Sequence, residues 1–130
     1  MRVGVFHPGT QHSWQTSLAF QEQGVLAWHA TSAFYDPGRW PYKLERWLPQ
    51  RLSSRLNREF RRRHAPYLDP RLIRQFGAWE WSEVLLRRAG HHGLAERCNE
   101  RGNRAFGRQT IRLIEREPVD LLWGYNTTSL

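Results

Sequence analysis

The chain has 130 residues, 39% of them hydrophobic, and seven tryptophans, enough for one domain with a real core and too much for a disordered tail. Its formal charge is +8, and of its 20 basic residues only Lys43 is a lysine. Cys98 is the single cysteine, which excludes an internal disulfide and suits a reducing compartment.

No apolar stretch reaches the length of a membrane span or a signal-peptide core. The expectation is a cytoplasmic protein that can touch the inner membrane face as a peripheral partner. An arginine excess of this size suits a polyanion, either nucleic acid or an anionic membrane surface. The charge is spread along helical stretches rather than packed in one block, which favours solvated faces.

The first 24 residues read as strand, turn and helix. Val3, Val5 and Phe6 form a short apolar run of the kind found in buried parallel strands. His7-Pro8-Gly9-Thr10 breaks it, polar Gln11, His12 and Ser13 follow, and a helix runs from Trp14 to a stop at Gly24. Val25 to Thr31 is a second strand, and one intervening helix makes the unit βαβ with parallel strands. Residues 32–49 are loop-like, broken by Asp36-Pro37-Gly38 and Trp40-Pro41.

Leu48, Leu52, Leu56 and Phe60 recur every four residues and predict an amphipathic helix with arginines on its other faces. Asp69-Pro70 predicts a capped restart of helix, striped by Leu72, Ile73 and Phe76 and stopped at Gly77. Trp81, Val84, Leu85 and Ala89 mark another helix ending at Gly90. Leu94 to Ile114 is a long helical run with possible breaks at Gly102 or Gly107 and closure at Pro118. Val119 to Tyr125 is a third strand, and Asn126-Thr127-Thr128 looks like the cap of one more helix. A sheet strand followed by a cap signal predicts that the domain is truncated at its C-terminal end, because a further helix is needed to cover the sheet.

Two loops leave strands at the edge where α/β domains bind ligands. The first holds Pro8, Gly9, Thr10, Gln11, His12 and Ser13. Gly9 permits close backbone approach, and free N–H groups at a helix start bind phosphate or sugar hydroxyls; a plain turn with Ser13 as helix cap is the competing reading. The second holds Tyr125, Asn126 and Thr127, whose side chains suit sugar hydroxyls or a simple cap. His7 and His12 lie on the same edge, but no catalytic residue follows from them. His91-His92 makes no metal pair, since adjacent side chains diverge and no third ligand is spaced to join them. No metal ligand set, P-loop lysine or nucleophile elbow is present, and no cofactor is expected. Trp28 and Trp123 are assigned to the core, and Trp40 and Trp47 beside Tyr42 to a loop packed over it, with sugar stacking or a membrane interface as the alternative. Arg58, Arg61, Arg62 and Arg63 form the densest basic cluster, read as a solvated face with anionic lipid or a phosphorylated acceptor as the sharper alternative.

The order of these pieces resembles the N-terminal half of bacterial family 4 glycosyltransferases, retaining enzymes built from two Rossmann-like domains in the GT-B architecture. Met1 to Gly9 looks like their first strand and loop, and Val119 to Leu130 like the strand and helix start that often read Pro-Asp-Val-Val-His-Ala-His. His7 to Trp14, Ala30 to Tyr35 and Arg39 to Tyr42 add to the likeness. The resemblance implies an α/β fold: a Rossmann-like parallel sheet with a large helical insertion, spanning residues 1–130 as the acceptor-side domain. It implies hexosyl transfer from a nucleotide-sugar donor, held by a second domain, to a glycan or lipid-linked acceptor. The family's Glu-x7-Glu motif belongs to that second domain and has no counterpart here, so the chain alone is expected to be inactive. The first loop lacks a Gly-Gly pair, and Gly124-Tyr125 replaces the histidine common after the later strand. The alternative is a basic α/β module that binds nucleic acid or anionic membrane without catalysis; within the transferase reading, nucleic acid is not expected as a partner.

Overall fold

The structure is a computed structural model that describes residues 1–9, 12–32, 34, 42–61, 65–76 and 79–125. Among the described residues four strands form one all-parallel sheet in the order β3-β2-β1-β4, where β1 is Val3–Phe6, β2 is Leu26–Thr31, β3 is Ile73–Gln75 and β4 is Leu121–Gly124. The chain runs outward from β1 through β2 to β3, then returns to the other side of β1 as β4. That reversal makes a topological switch point between β1 and β4, in the order typical of Rossmann-like sheets.

Helix α1, Ser13–Glu22, links β1 to β2, as the βαβ reading requires. Gly24 ends that connection with a φ of +69°, a left-handed conformation that glycine adopts without cost. The register of β1 on β2 shifts between Val3 and Gly4, leaving Ala27 without a partner on β1. At its other edge β1 is pinned to β4 at the strand entrance. There Arg2 N–H donates to the Asp120 carboxylate at 2.7 Å, and its guanidinium donates to the Pro118 carbonyl at 3.1 Å.

Two layers of side chains sandwich the sheet. On one face Phe6, Trp28 and Ala30 pack against Phe106 and Leu113 of helix α4, His92–Arg116. On the other, Val3, Val5 and Leu26 pack with Phe20 of α1. A further cluster of Trp14, Phe34, Ala65, Leu68 and Ile73 closes the β3 side. Helix α2, Gln50–Arg61, follows a 3-10 turn over Tyr42–Trp47, and α3, Trp79–Arg88, packs against α4. Among the described residues no helix is long and apolar enough to cross a membrane.

Several expectations are corrected. The stretch after Asp69 is not a helix: Pro70–Leu72 is a 3-10 turn and Ile73–Gln75 is a strand. The start signal works locally, since Asp69 accepts from Arg71 N–H at 2.9 Å. Pairing of Ile73, Arg74 and Gln75 with His29, Ala30 and Thr31 then overrides helix continuation, so the region between the two outer recognised strands also supplies the sheet edge. The long helix is unbroken through Gly102 and Gly107. Each glycine costs about 1 kcal/mol in a helix interior, and burial of Ala95, Phe106, Thr110 and Leu113 along one face outweighs that.

Trp123 lies in a strand as expected but is 44% exposed, because β4 is an edge strand in the described sheet; its ring meets Phe20 edge-on. Trp47 does not pack over the core, being 86% exposed, and Leu52 of the expected apolar stripe is also exposed. Trp40 and the side chains of Tyr42, Leu56 and Phe60 lie outside the described residues, as do those of Arg61, Arg62 and Arg63.

Candidate functional site at the sheet switch point

Because β1 and β4 run parallel with Phe6 opposite Gly124, the loops that leave them emerge side by side. The approach is close. A Cβ on Gly124 would fall inside the van der Waals envelope of the Phe6 ring, so β4 reaches β1 here only because position 124 has no side chain. The β1–β2 ladder continues into the first loop: His7 N–H donates to the Ala30 carbonyl at 3.0 Å and Ser32 N–H to the Pro8 carbonyl at 3.3 Å. Pro8 and Gly9 are therefore held by backbone bonds as well as by sequence.

His7 is buried at the root of this loop. Its Nδ1 accepts the Gly9 N–H at 2.9 Å, which in the neutral ring places the proton on Nε2. A Cβ on Gly9 would stand 3.1 Å from His7 Cε1, so the glycine leaves room for the imidazole.

Tyr125 ties the second loop to the first. Its hydroxyl meets the Thr16 hydroxyl and donates to the His12 carbonyl at 3.3 Å. Its ring stands edge-on to His7, with centroids 5.8 Å apart and planes at 85°. Thus the structure brings His7, Pro8, Gly9, His12, Ser13 and Tyr125 to one edge. Thr10, Gln11, Asn126 and Thr127 lie outside the described residues.

Ser13 is not the helix cap. His12 occupies that position without a side-chain cap bond, and Ser13 is the first helical residue. The Ser13 side chain is fully buried, and its Oγ has no hydrogen-bond partner among the described residues. Among the described residues, neither His12 nor Ser13 caps the first-turn N–H groups of α1, groups of the kind that bind an anion or a hydroxyl.

Beneath this edge lies a buried polar pair that sequence reasoning missed. Ser17, on the same helix face as Ser13, has its Oγ 2.5 Å from Nδ1 of His29. His29 is fully buried on β2, and its Nε2 has no partner among the described residues; the same holds for the Thr31 hydroxyl. Burial, and secondarily the neighbouring His7, pushes the His29 pKa down from 6.5 to about 4, so its imidazole is neutral at physiological pH. The available signal was a serine pair, Ser13 and Ser17, spaced four apart, each directly before an apolar residue, Trp14 or Leu18, on an inward helix face. Thr16 carried no such signal, because its partner Tyr125 is distant in sequence.

Replacing Tyr125 with phenylalanine is expected to cost about 1 kcal/mol, the worth of an ordinary hydrogen bond. It should also speed amide exchange over His12–Thr16 without changing it in α4. Unchanged exchange over His12–Thr16 would show that the hydroxyl does not tie the two loops.

The described residues offer hydrogen-bond donors and acceptors, a helix start that His12 leaves without a side-chain cap bond, and one ring edge at this crevice. Among the described residues no group of histidine, cysteine or carboxylate side chains is arranged to hold a metal ion. Compared with protein families, with curated proteins and with solved structures, the chain matches none.

Proposed function

We propose that this chain is the acceptor-side domain of a retaining glycosyltransferase of GT-B architecture, and that the crevice between β1 and β4 is one wall of its substrate cleft. The observation that carries the proposal is the meeting of the Pro8–Ser13 loop and Tyr125 at the switch point. The resemblance of the flanking segments to family 4 glycosyltransferases names the chemistry. Pro8, Gly9, Thr10, Gln11, His12, Ser13, Tyr125, Asn126 and Thr127 are the proposed substrate-binding residues. They bind and orient a glycan or lipid-linked acceptor beside the sugar of a nucleotide-sugar donor. Catalysis in such a cleft is chiefly positioning plus stabilisation of the departing phosphate. The phosphate side belongs to a second domain, so no catalytic residue is assigned here and no cofactor is invoked.

Calorimetric titration of the chain with sugar phosphates, nucleotide-sugars and short glycans tests this. Saturable binding by at least one class is expected, lost when Gly9 is replaced by valine and accompanied by no sugar transfer. Absence of binding by every class, or robust transfer by the chain alone, overturns the assignment.

A further inference from the structure

The unbroken course of α4 creates a feature that the sequence alone leaves scattered. Arg97, Arg101, Arg104, Arg108 and Arg112 follow one another at spacings of four, three, four and four residues. On one continuous helix such spacings fall on a single face. That face is opposite the one that buries Ala95, Phe106, Thr110 and Leu113 against the sheet, and all five arginines are exposed. The row is ~22 Å long at about 1.5 Å per residue.

Three arginines outside the row are ion-paired: Arg71 with Asp69, Arg74 with Glu117 and Arg87 with Glu83. None of the five in the row makes an ion pair among the described residues. Arg108 spends its Nε on the Arg104 carbonyl at 3.3 Å, which leaves the rest of its guanidinium to solvent. The helix carries Glu96, Glu100 and Glu115 as well, with Glu115 beyond the end of the row.

We propose that this row is a docking surface for an anionic phospholipid bilayer. Its charge complements a layer of phosphate headgroups, and arginine binds phosphate with a planar fork of donors. A straight row on a rigid helix suits a plane. Two half-exposed aliphatic residues, Leu94 and Ile111, lie within the same arc of the helix. Apolar side chains gain nothing against a phosphodiester backbone, but they insert between headgroups. A nucleic acid fits less well. The row carries no aromatic side chain on which bases could stack. The surface is distinct from the sheet switch point, and the inference does not depend on the sugar-transfer proposal.

Co-sedimentation of the whole chain with vesicles of phosphatidylcholine, with and without phosphatidylglycerol, tests the docking surface. Binding is expected only to the phosphatidylglycerol vesicles. It should weaken steeply as ionic strength rises from ~0.01 M to ~0.15 M, as the Debye length falls from about 30 Å to about 8 Å. The triple variant R101Q/R104Q/R108Q should bind about a hundredfold more weakly, at roughly fivefold per arginine. R97Q/R112Q is a second variant on the same row and should lose about 25-fold by the same measure. Removing the exposed α2 pair, R51Q/R58Q, lowers the net charge equally to that second variant and should leave most of the affinity. Circular dichroism confirms that each variant is folded. The inference is overturned by equal binding to uncharged vesicles, by no binding at low salt, by equal loss in the α2 variant, or by tighter binding to duplex DNA than to vesicles at the same salt.

Discussion

Replacing Trp28 with alanine is expected to remove about 3–5 kcal/mol of folding stability, a large part of what a domain of this size possesses. Trp28 is fully buried at the centre of the cluster formed with Phe6, Ala30, Phe106 and Leu113. Its ring lies so close over Gly4 that a Cβ there would stand 2.6 Å from Cζ2. Its indole N–H donates to the Glu117 carbonyl at 3.0 Å, where α4 ends and the chain turns toward β4. One side chain therefore joins β1, β2 and the far end of α4. Alanine leaves both a cavity and an unpaired carbonyl. Phenylalanine fills most of the volume and should cost less than alanine.

The contact also predicts coupling. Alanine at Gly4 should be harmful beside Trp28, by about 1–3 kcal/mol, and much less so in the Trp28→Ala background. Urea unfolding at neutral pH checks both statements. A loss below about 1 kcal/mol for Trp28→Ala, or strict additivity with Gly4→Ala, would contradict this picture of the core.

The second large effect is a loss of stability in mild acid caused by His29. In the folded chain burial and His7 hold its pKa near 4, against 6.5 for the free side chain. Above pH 6.5 the imidazole is neutral in both states and contributes no pH dependence. Below 6.5 the unfolded chain binds a proton that the folded chain refuses, so stability falls as pH drops. The fall ends near pH 4, where the folded form also protonates. A displacement of that size is worth roughly 3 kcal/mol.

Comparison with His29→Leu isolates the effect from the carboxylates and the other histidines. The variant loses the partner of Ser17 and should be less stable than wild type at pH 7. The wild-type advantage should shrink by roughly 3 kcal/mol between pH 7 and pH 4. An advantage that does not change with pH would mean that His29 is accessible to protons in the folded state.

Much of the sheet was legible from local pattern, and the reasons are physical. Val3, Val5 and Phe6, and most of the run from Leu26 to Ala30, are apolar because parallel strands are covered on both faces, with His29 the polar exception. The glycines that end α1 and α3, Gly24 and Gly90, have positive φ, so the punctuation carried the geometry. Strand β3 was not legible. Its three residues sit behind a genuine cap at Asp69, and only the edge of β2, distant in sequence, selects strand over helix. The exposure of Trp47 and Trp123 was equally invisible, since a tryptophan carries the same local pattern whether or not a neighbour covers it.

The candidate site divides in the same way. Gly9 was visible as the loop, and the helix start was legible to within one residue, Ser13 being read as its cap rather than its first residue. The joining of Tyr125 to His12 and Thr16 required the strand order, which places β4 beside β1. The Ser17–His29 pair was hidden because a buried hydroxyl and imidazole look, in sequence, like any polar residues on a helix and a strand.

Amide-resolved NMR of the chain during titration with a sugar phosphate tests the central claim, that the β1–β4 switch point is the ligand-binding edge, most directly. Saturable shifts concentrated at Gly9, Ser13, Gly124 and Tyr125, and absent along α4, are the predicted result. Saturable shifts confined to other surfaces would contradict it.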